Sequence, residues 1–270
     1  MTKVSNANDS ELQQQLKQSG HIPTHIAVIM DGNGRWAKAK GYPRLQGHRE
    51  GIESVRDIVE ASAQLGVKHL TLYTFSKENW KRPVEEVTTL MRLLVRSLRK
   101  ELNVLHSNNV RLTMIGDMES LPEIVQKELL DAKSKTDKNT GLNLILALSY
   151  SGRWEIIEAV KKIAQQVKFG EIQPESITPE LFEMNLATAG IPDPDLLIRT
   201  SGELRISNYL LWQIAYSEIY VTDVFWPEFR RDYLYEAIKA FQKRERRFGK
   251  VSEQLHKNNK GQQNVEQLSK

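Results

Sequence analysis

Short apolar runs recur along the chain at 25–30, 69–75, 110–116, 142–148, 195–200 and 218–223. Several, such as "HIAVIM" and "LNLILAL", lack the in–out alternation of a half-exposed strand. That pattern fits parallel strands covered on both faces. Between the runs the period changes to that of a helix. In 84–106, Val87, Leu90, Met91, Leu94, Val95, Leu98 and Leu102 fall at helical spacing. Further helices are predicted at 48–65, 122–137, 152–167, 179–188 and 230–248. Pro83 and Pro122 suit helix starts, and Gly66 suits a helix end. The alternation predicts a single α/β domain with a central, mostly parallel six-stranded sheet flanked by helices. No internal repeat or linker composition divides it. The polar ends predict a flexible segment over 1–20, a folded domain over 21–249 and a flexible tail over 250–270.

Open α/β sheets bind ligands beyond the carboxyl ends of their strands. Four post-strand stretches stand out there. The first is Asp31-Gly32-Asn33-Gly34-Arg35-Trp36, and the second runs from Ser76 to Arg82. The third is Ser149-Tyr150-Ser151-Gly152-Arg153-Trp154, and the fourth runs from Arg199 to Ser207. Each joins small residues, which let backbone N–H groups approach an anion, to at least one arginine. Any one of them reads equally as an ordinary turn. Four on one sheet edge point to a site for several phosphates.

No P-loop occurs. Gly32-Asn33-Gly34-Arg35-Trp36-Ala37 resembles a dinucleotide fingerprint, but the offset of its ribose-binding acid falls near Ser54, inside a predicted helix. Asp31 would also repel a pyrophosphate unless a cation lay between them. Mg²⁺, which takes one or two carboxylates plus phosphate oxygens, meets that need. Glu218 and Glu203 are candidates for a second acid. A helix N-cap is the competing reading of Asp31.

Composition narrows the chemistry. The chain has 270 residues and no cysteine, which excludes disulfides, thiolate nucleophiles and iron–sulfur clusters. Its formal charge of +4 is a mild bias toward anionic ligands, matched equally by surplus lysine. The basic residues suit small phosphates, so a nucleic-acid partner is not expected. The N-terminus lacks an apolar signal core, and no stretch approaches a membrane span. A cytoplasmic protein is expected, with peripheral contact at the inner membrane face left open. The basic run "KRERRFGK" (243–250) reads as a solvated helix end before a lipid contact.

The blocks "HIAVIMDGNGRWAK", "GYPRLQGHREG", "LTLYTFSKENWKRP", "SYSGRWEI", "PDPDLLIRTSGELRISNYLLWQ" and "YSEIYVTDVFWPEF" resemble the signature blocks of the cis-prenyltransferases, over roughly 21–249. The resemblance implies a homodimer and a Mg²⁺-dependent transferase. Its reaction would condense isopentenyl diphosphate onto an allylic primer such as farnesyl diphosphate. The expected product is a long-chain polyprenyl diphosphate of the undecaprenyl type, precursor of the cell-wall carrier lipid. By matching blocks, Asp31 is the metal-associated catalytic acid and Glu218 the second metal-associated acid. Gly32, Asn33, Gly34, Arg35, Arg44 and His48 match the allylic diphosphate cradle, with Trp36 beside it. Ser76, Lys77, Glu78, Asn79, Trp80 and Arg82 match a mobile loop in which Asn79 assists proton removal. Arg199, Arg205, Ile206 and Ser207 match the isopentenyl diphosphate site. Ser151 stands where glycine is usual, and Leu204 where some members have histidine. An accessory, non-catalytic relative is the alternative within this family, and the intact Asp31 argues against it.

A growing prenyl chain gains about 3–4 kcal/mol of burial per five-carbon unit, at ~0.8 kcal/mol per carbon. It needs an apolar tunnel, for which 84–106 and the second and fourth strands are candidate walls, while for most of those residues plain core packing is the better reading. Leu142 matches a position near the tunnel floor in the family.

Overall fold

The computed structural model describes residues 7–244. Six strands form one parallel sheet: β1 (His25–Ile29), β2 (His69–Ser76), β3 (Arg111–Ile115), β4 (Asn143–Tyr150), β5 (Leu196–Thr200) and β6 (Glu218–Thr222), in the order β3-β4-β2-β1-β5-β6. β1 and β5 are buried at every position, as their apolar runs require. Side chains alternate between two separate cores. Ile26, Val28, Leu70, Leu72, Leu144 and Leu146 face one, and Ala27, Ile29, Ile145, Ala147 and Leu197 face the other.

The helices are α1 (Ala7–Ser19), α2 (Asn33–Ala39), α3 (Arg44–Leu65), α4 (Val84–Ser107), α5 (Glu123–Thr136), α6 (Gly152–Lys168), α7 (Pro179–Asn185) and α8 (Arg231–Gln242). The first core takes side chains from α1, α3, α4, α5 and α8. The second lies under the 206–214 segment and Trp154 of α6. α6 opens on Ser151, whose Oγ accepts from the Trp154 N–H. The serine in place of a family glycine is thus an N-cap.

Two helices depart from the sequence expectation. The described part of the 1–20 segment forms α1, which buries Leu16 fully and docks on α3 and α8. Its Asp9 receives Arg231 and the Tyr235 hydroxyl, and Gln13 donates to Gln64 and Tyr235. The other is α2, which starts directly after the first post-strand glycine. α2 and α3 cross closely at Gly47, where an added Cβ would meet the Asn33 carbonyl oxygen at 1.9 Å. The predicted 230–248 helix ends at Gln242, and its remainder beyond 244, like the 250–270 tail, lies outside the described residues. No described helix is long and apolar enough to cross a membrane.

The neighbouring strands β1 and β5 send their chains in opposite directions across the sheet, to β2 and to β6. Their carboxyl ends form the switch-point crevice of this fold. Ile29 pairs with Arg199, so Asp31 and Arg199 meet there.

Leu16→Ala should lower the unfolding free energy by about 2–4 kcal/mol, read by urea denaturation. A loss below about 0.5 kcal/mol would mean that α1 is not part of the cooperative core.

Candidate active site

Asp31 is fixed first through its backbone. Its N–H donates to Thr200 Oγ1 at 2.9 Å, and its carbonyl accepts from Thr200 Oγ1 and from the Trp226 N–H. Oδ1 accepts the Gly32 N–H at 2.7 Å. Oδ2 receives Arg199 Nη2 at 2.9 Å and Arg35 Nη2 at 3.1 Å. Partial burial pushes the carboxyl up. The Arg199 bond, the Gly32 N–H and the charges of Arg35 and Arg199 outweigh that and hold it below the ordinary aspartate value. Asp31 is therefore an anion at neutral pH. It is not an N-cap: α2 is capped by Gly32 without a side-chain bond. Gly32 has φ 101°, and a Cβ there would lie 2.8 Å from Ser201 Oγ and Phe225 Cδ1, so only glycine lets the rim close this tightly.

Two groups of cations flank this acid. On one side, Asn33, Gly34, Arg35, Arg44, His48 and Arg82 line the mouth of a cavity of about 520 Å³. Glu86 gathers Arg44 and Arg82, each at 3.2 Å. The His48 ring is pushed down to about 4 by burial and by the charges of Arg82 and Arg44, so it is neutral. His48 Nε2 and Asn33 Oδ1 are buried without a hydrogen-bond partner. On the other side lies Arg199, only 4% exposed. Its Nη1 donates to Ser207 Oγ at 2.8 Å and to the Arg205 carbonyl, and its Nε has no partner. Arg205 reaches Glu203, which also receives Arg35 at 3.0 Å. The loop bends sharply here, with positive φ at Ser201, Gly202, Ser207 and Asn208. Ile206 turns toward the second core.

Arg44 and Arg82 line this cavity, and Arg199 and Arg205 do not. Leu72 and Phe75 of β2, Leu144, Leu146 and Leu148 of β4, and Leu112 of β3 form one wall. Ile52 and Val55 of α3 and the Leu90–Leu105 face of α4 form the other. The stretch of α4 from Leu90 to Leu105 measures about 22 Å. Faces of 84–106 and of strands two and four line the cavity together with α3 and Leu112 of β3, and Leu72, Met91, Leu144 and Leu146 among them also belong to the first core. Leu142 is buried but does not line the cavity. Leu105, Leu112 and the ion-paired Arg56 and Glu101 stand at the deep end.

The remaining sequence candidates divide. Ser76–Arg82 forms a 3-10 turn in which the Asn79 side chain accepts the Ser76 N–H. Asn79 lines the cavity mouth. Lys77, Glu78 and Trp80 hold the turn down instead of facing the cavity. Lys77 pairs with Asp117 at 2.6 Å and lies 4.8 Å from the Trp154 ring centroid. Glu78 accepts from Asn208, and Trp80 donates to Ser149 Oγ at 2.9 Å. Trp36 donates to Glu228 and does not line the cavity. Glu218 is not brought to Asp31. It opens β6 at the amino-terminal edge of the parallel sheet, opposite the rim, and pairs with Arg244. Glu203, the other acid considered from the sequence, is joined to Asp31 through Arg35. Leu204 is 88% exposed. Sequence reading gave no separate role to Thr200, which fixes the backbone of Asp31, or to Glu86, which gathers the distant Arg44 as well as its neighbour Arg82.

Among the described residues no group of three or more His, Cys, Asp or Glu side chains is placed to hold a metal. Asp31 is a single hard oxygen donor beside two anion cradles. A divalent cation there would share its ligation with phosphate oxygens, which is how Mg²⁺ is commonly held.

Comparison with known proteins sets this fold among the prenyltransferases. The family described as "Putative undecaprenyl diphosphate synthase" matches residues 29–249. The isoprenyl transferase of Chlorobaculum tepidum is 58% identical over 257 residues, covering 95% of this chain and 97% of that protein. A ditrans,polycis-undecaprenyl-diphosphate synthase ((2E,6E)-farnesyl-diphosphate specific) of Vibrio cholerae is 51% identical, covering 87% of this chain and 94% of that protein. Among solved structures, lavandulyl diphosphate synthase from Lavandula x intermedia, in complex with dimethylallyl diphosphate, superposes with a TM-score of 0.83 at 37% identity. It covers 85% of this chain and 99% of that one. A probable undecaprenyl diphosphate synthase from Campylobacter jejuni gives 0.72 at 33%, covering 85% and 100%. The chain belongs to the undecaprenyl diphosphate synthase family, as the sequence blocks implied.

His48 and His25 are both held at about 4, chiefly by burial. Unfolded, each takes a proton near 6.5. Their stabilisation is therefore full above that value and declines as the pH falls toward 4, by roughly 1–2 kcal/mol per histidine between pH 7 and 5. Urea titrations at those two pH values should show His48→Asn losing less stability on acidification than the unaltered chain. Equal losses would refute the burial of a neutral His48.

Proposed function

We propose that the chain catalyses sequential cis-condensation of isopentenyl diphosphate onto an allylic diphosphate, farnesyl diphosphate in the first round, to give undecaprenyl diphosphate. One observation carries this reading: Asp31 stands between two arginine-lined cradles, and Arg44 and Arg82 of one line the apolar cavity while Arg199 and Arg205 of the other do not. A diphosphate with a long tail fits the Arg44–Arg82 side. A diphosphate with a short tail fits the Arg199–Arg205 side.

In the reaction the allylic C–O bond breaks, diphosphate leaves, the terminal carbon of isopentenyl diphosphate bonds to the allylic carbon, and a proton is lost. Asp31 would hold Mg²⁺, which would supply charge neutralisation for the oxygens of the departing diphosphate. Arg35, Arg44 and Arg82 supply preorganised positive charge to the same oxygens. His48, neutral and with a free buried nitrogen, adds a hydrogen bond without adding charge. Arg199 and Arg205 with Ser207 orient the second substrate against the first, which lowers the entropic barrier to bond formation. Asn79, at the mouth, orients the proton acceptor. An amide is too weak a base to take that proton itself, so an oxygen of the bound diphosphate does. The chain acts as a homodimer through the β6 side of the sheet, where Leu204, Tyr216 and Ile219 are exposed.

With farnesyl and isopentenyl diphosphates and Mg²⁺, Asp31→Ala should keep the fold and lower kcat by at least about 100-fold, the range seen when one charge-stabilising group is removed. Arg205→Ala should chiefly raise KM for isopentenyl diphosphate. Near-normal turnover of the first variant, or no requirement for a divalent cation, would overturn the reading. Leu105→Trp should shorten the product on chromatographic sizing, because the indole fills the deep end of the cavity. An unchanged product would remove that cavity from chain-length control.

A further inference from the structure

A second cavity, of about 610 Å³, lies on the outer side of α4, where that helix meets the start of α5. Its floor is apolar: Trp80, Val87, Met91, Val95 and Pro122. Its rim carries Arg92, Arg96 and Arg99, which follow one face of α4 at helical spacing. Arg99 is tied to Glu128. Arg92 and Arg96 have neither an ion pair nor a hydrogen bond among the described residues, and both are exposed. Two apolar side chains project beside them into solvent, Val84 at 80% and Ile124 at 51% exposure.

We infer that this groove is the face by which the protein docks on an anionic lipid bilayer. The inference rests on the proposed reading of the first cavity as a hydrocarbon tunnel. A surface that is both greasy and unneutralised suits an occupant with both characters. Lipid phosphates match the two unpaired guanidinium groups, and acyl chains match the floor and the projecting Val84 and Ile124. A nucleic acid would satisfy the arginines and leave the floor wet. A second copy of the same face would bring like charges together. The location gives the docking a purpose. Met91 and Arg82 line both cavities, so a bilayer held at the groove lies one side chain away from the tunnel mouth. The product leaves its tunnel beside the only phase that dissolves it.

The full chain is tested by co-sedimentation with vesicles of equal parts phosphatidylglycerol and phosphatidylcholine, and with vesicles of phosphatidylcholine alone, without substrate. The unaltered chain should bind the anionic vesicles, more weakly as salt rises, and bind the neutral ones poorly. Arg92→Gln with Arg96→Gln should weaken anionic binding on the order of 10-fold or more. A single condensation measured without vesicles should be unchanged in that double variant, since neither arginine touches the reacting groups. Val84→Ser with Ile124→Ser should weaken binding with less change in its salt dependence. Equal vesicle binding by the arginine variant, or no preference of the unaltered chain for anionic vesicles, overturns the inference. So does a loss of self-association in that variant, which would mark the face as a contact between copies. Because vesicle binding is read without substrate, failure of docking and failure of the condensation reading are separate results.

Discussion

The rest of the rim depends on the ion pair between Asp31 and Arg199. Arg199 is almost wholly buried, and an uncompensated guanidinium there would be strongly destabilising. Asp31, Ser207 and the Arg205 carbonyl supply the compensation, and each comes from a loop that the pair holds in place. The register of β1 against β5 sets the meeting, because Ile29 opposite Arg199 brings the next loop acid over the guanidinium. The compensation is incomplete. Arg199 Nε is buried and unpartnered, and so are Ser201 Oγ beside Gly32 and His48 Nε2 and Asn33 Oδ1 of the cavity lining. Buried polar atoms left unpaired around a fixed acid are what a site looks like before its polar ligand supplies the missing bonds.

Much of the fold was legible because buried parallel strands are apolar on both faces and short. The six runs that begin near His25, His69, Val110, Leu142, Asp195 and Glu218 all become strands. α1 was not legible. Its sequence, ANDSELQQQLKQS, offers only Leu12 and Leu16 as a face, and its polar anchors, Arg231 and Tyr235, lie more than two hundred positions away. α2 was hidden by Gly-Asn-Gly, which reads as a turn because local sequence cannot show that Gly32 adopts a left-handed cap and hands directly into a helix.

The site was legible where chemistry follows a strand end, and illegible where it depends on a distant partner. Asp31, Arg35, Arg44, His48, Arg82 and Arg199 converge as expected. Glu218 does not, and the reason is elementary: a residue that opens a strand of a parallel sheet lies at the edge opposite the residues that close the others. Trp80 and Lys77 carried an expectation of ligand contact only through the resemblance of their segment to the family's mobile loop. Their partners, Ser149 and Asp117, instead make them struts for the turn that presents Asn79 and Arg82.

The wall of the tunnel follows a different logic from its mouth. α4 packs closely on α5 and α3 on α2, while α3 and α4 face each other across the cavity. Ion pairs strap them: Arg44 to Glu86 near the mouth, and Arg56 to Glu101 at the deep end. Both straps are partly exposed, and such pairs contribute little free energy individually. A leucine seam of equal length would resist opening far more, by roughly 1.5–3 kcal/mol per buried side chain. On the proposed reading the hydrocarbon gains about 3–4 kcal/mol with each unit it buries, so a long product is held increasingly tightly. A wall of strapped helices resolves that conflict. On that reading it would close over a growing chain through the chain's own burial, and the two partly exposed ion pairs across it would be cheap to break once an apolar phase outside offered the same burial.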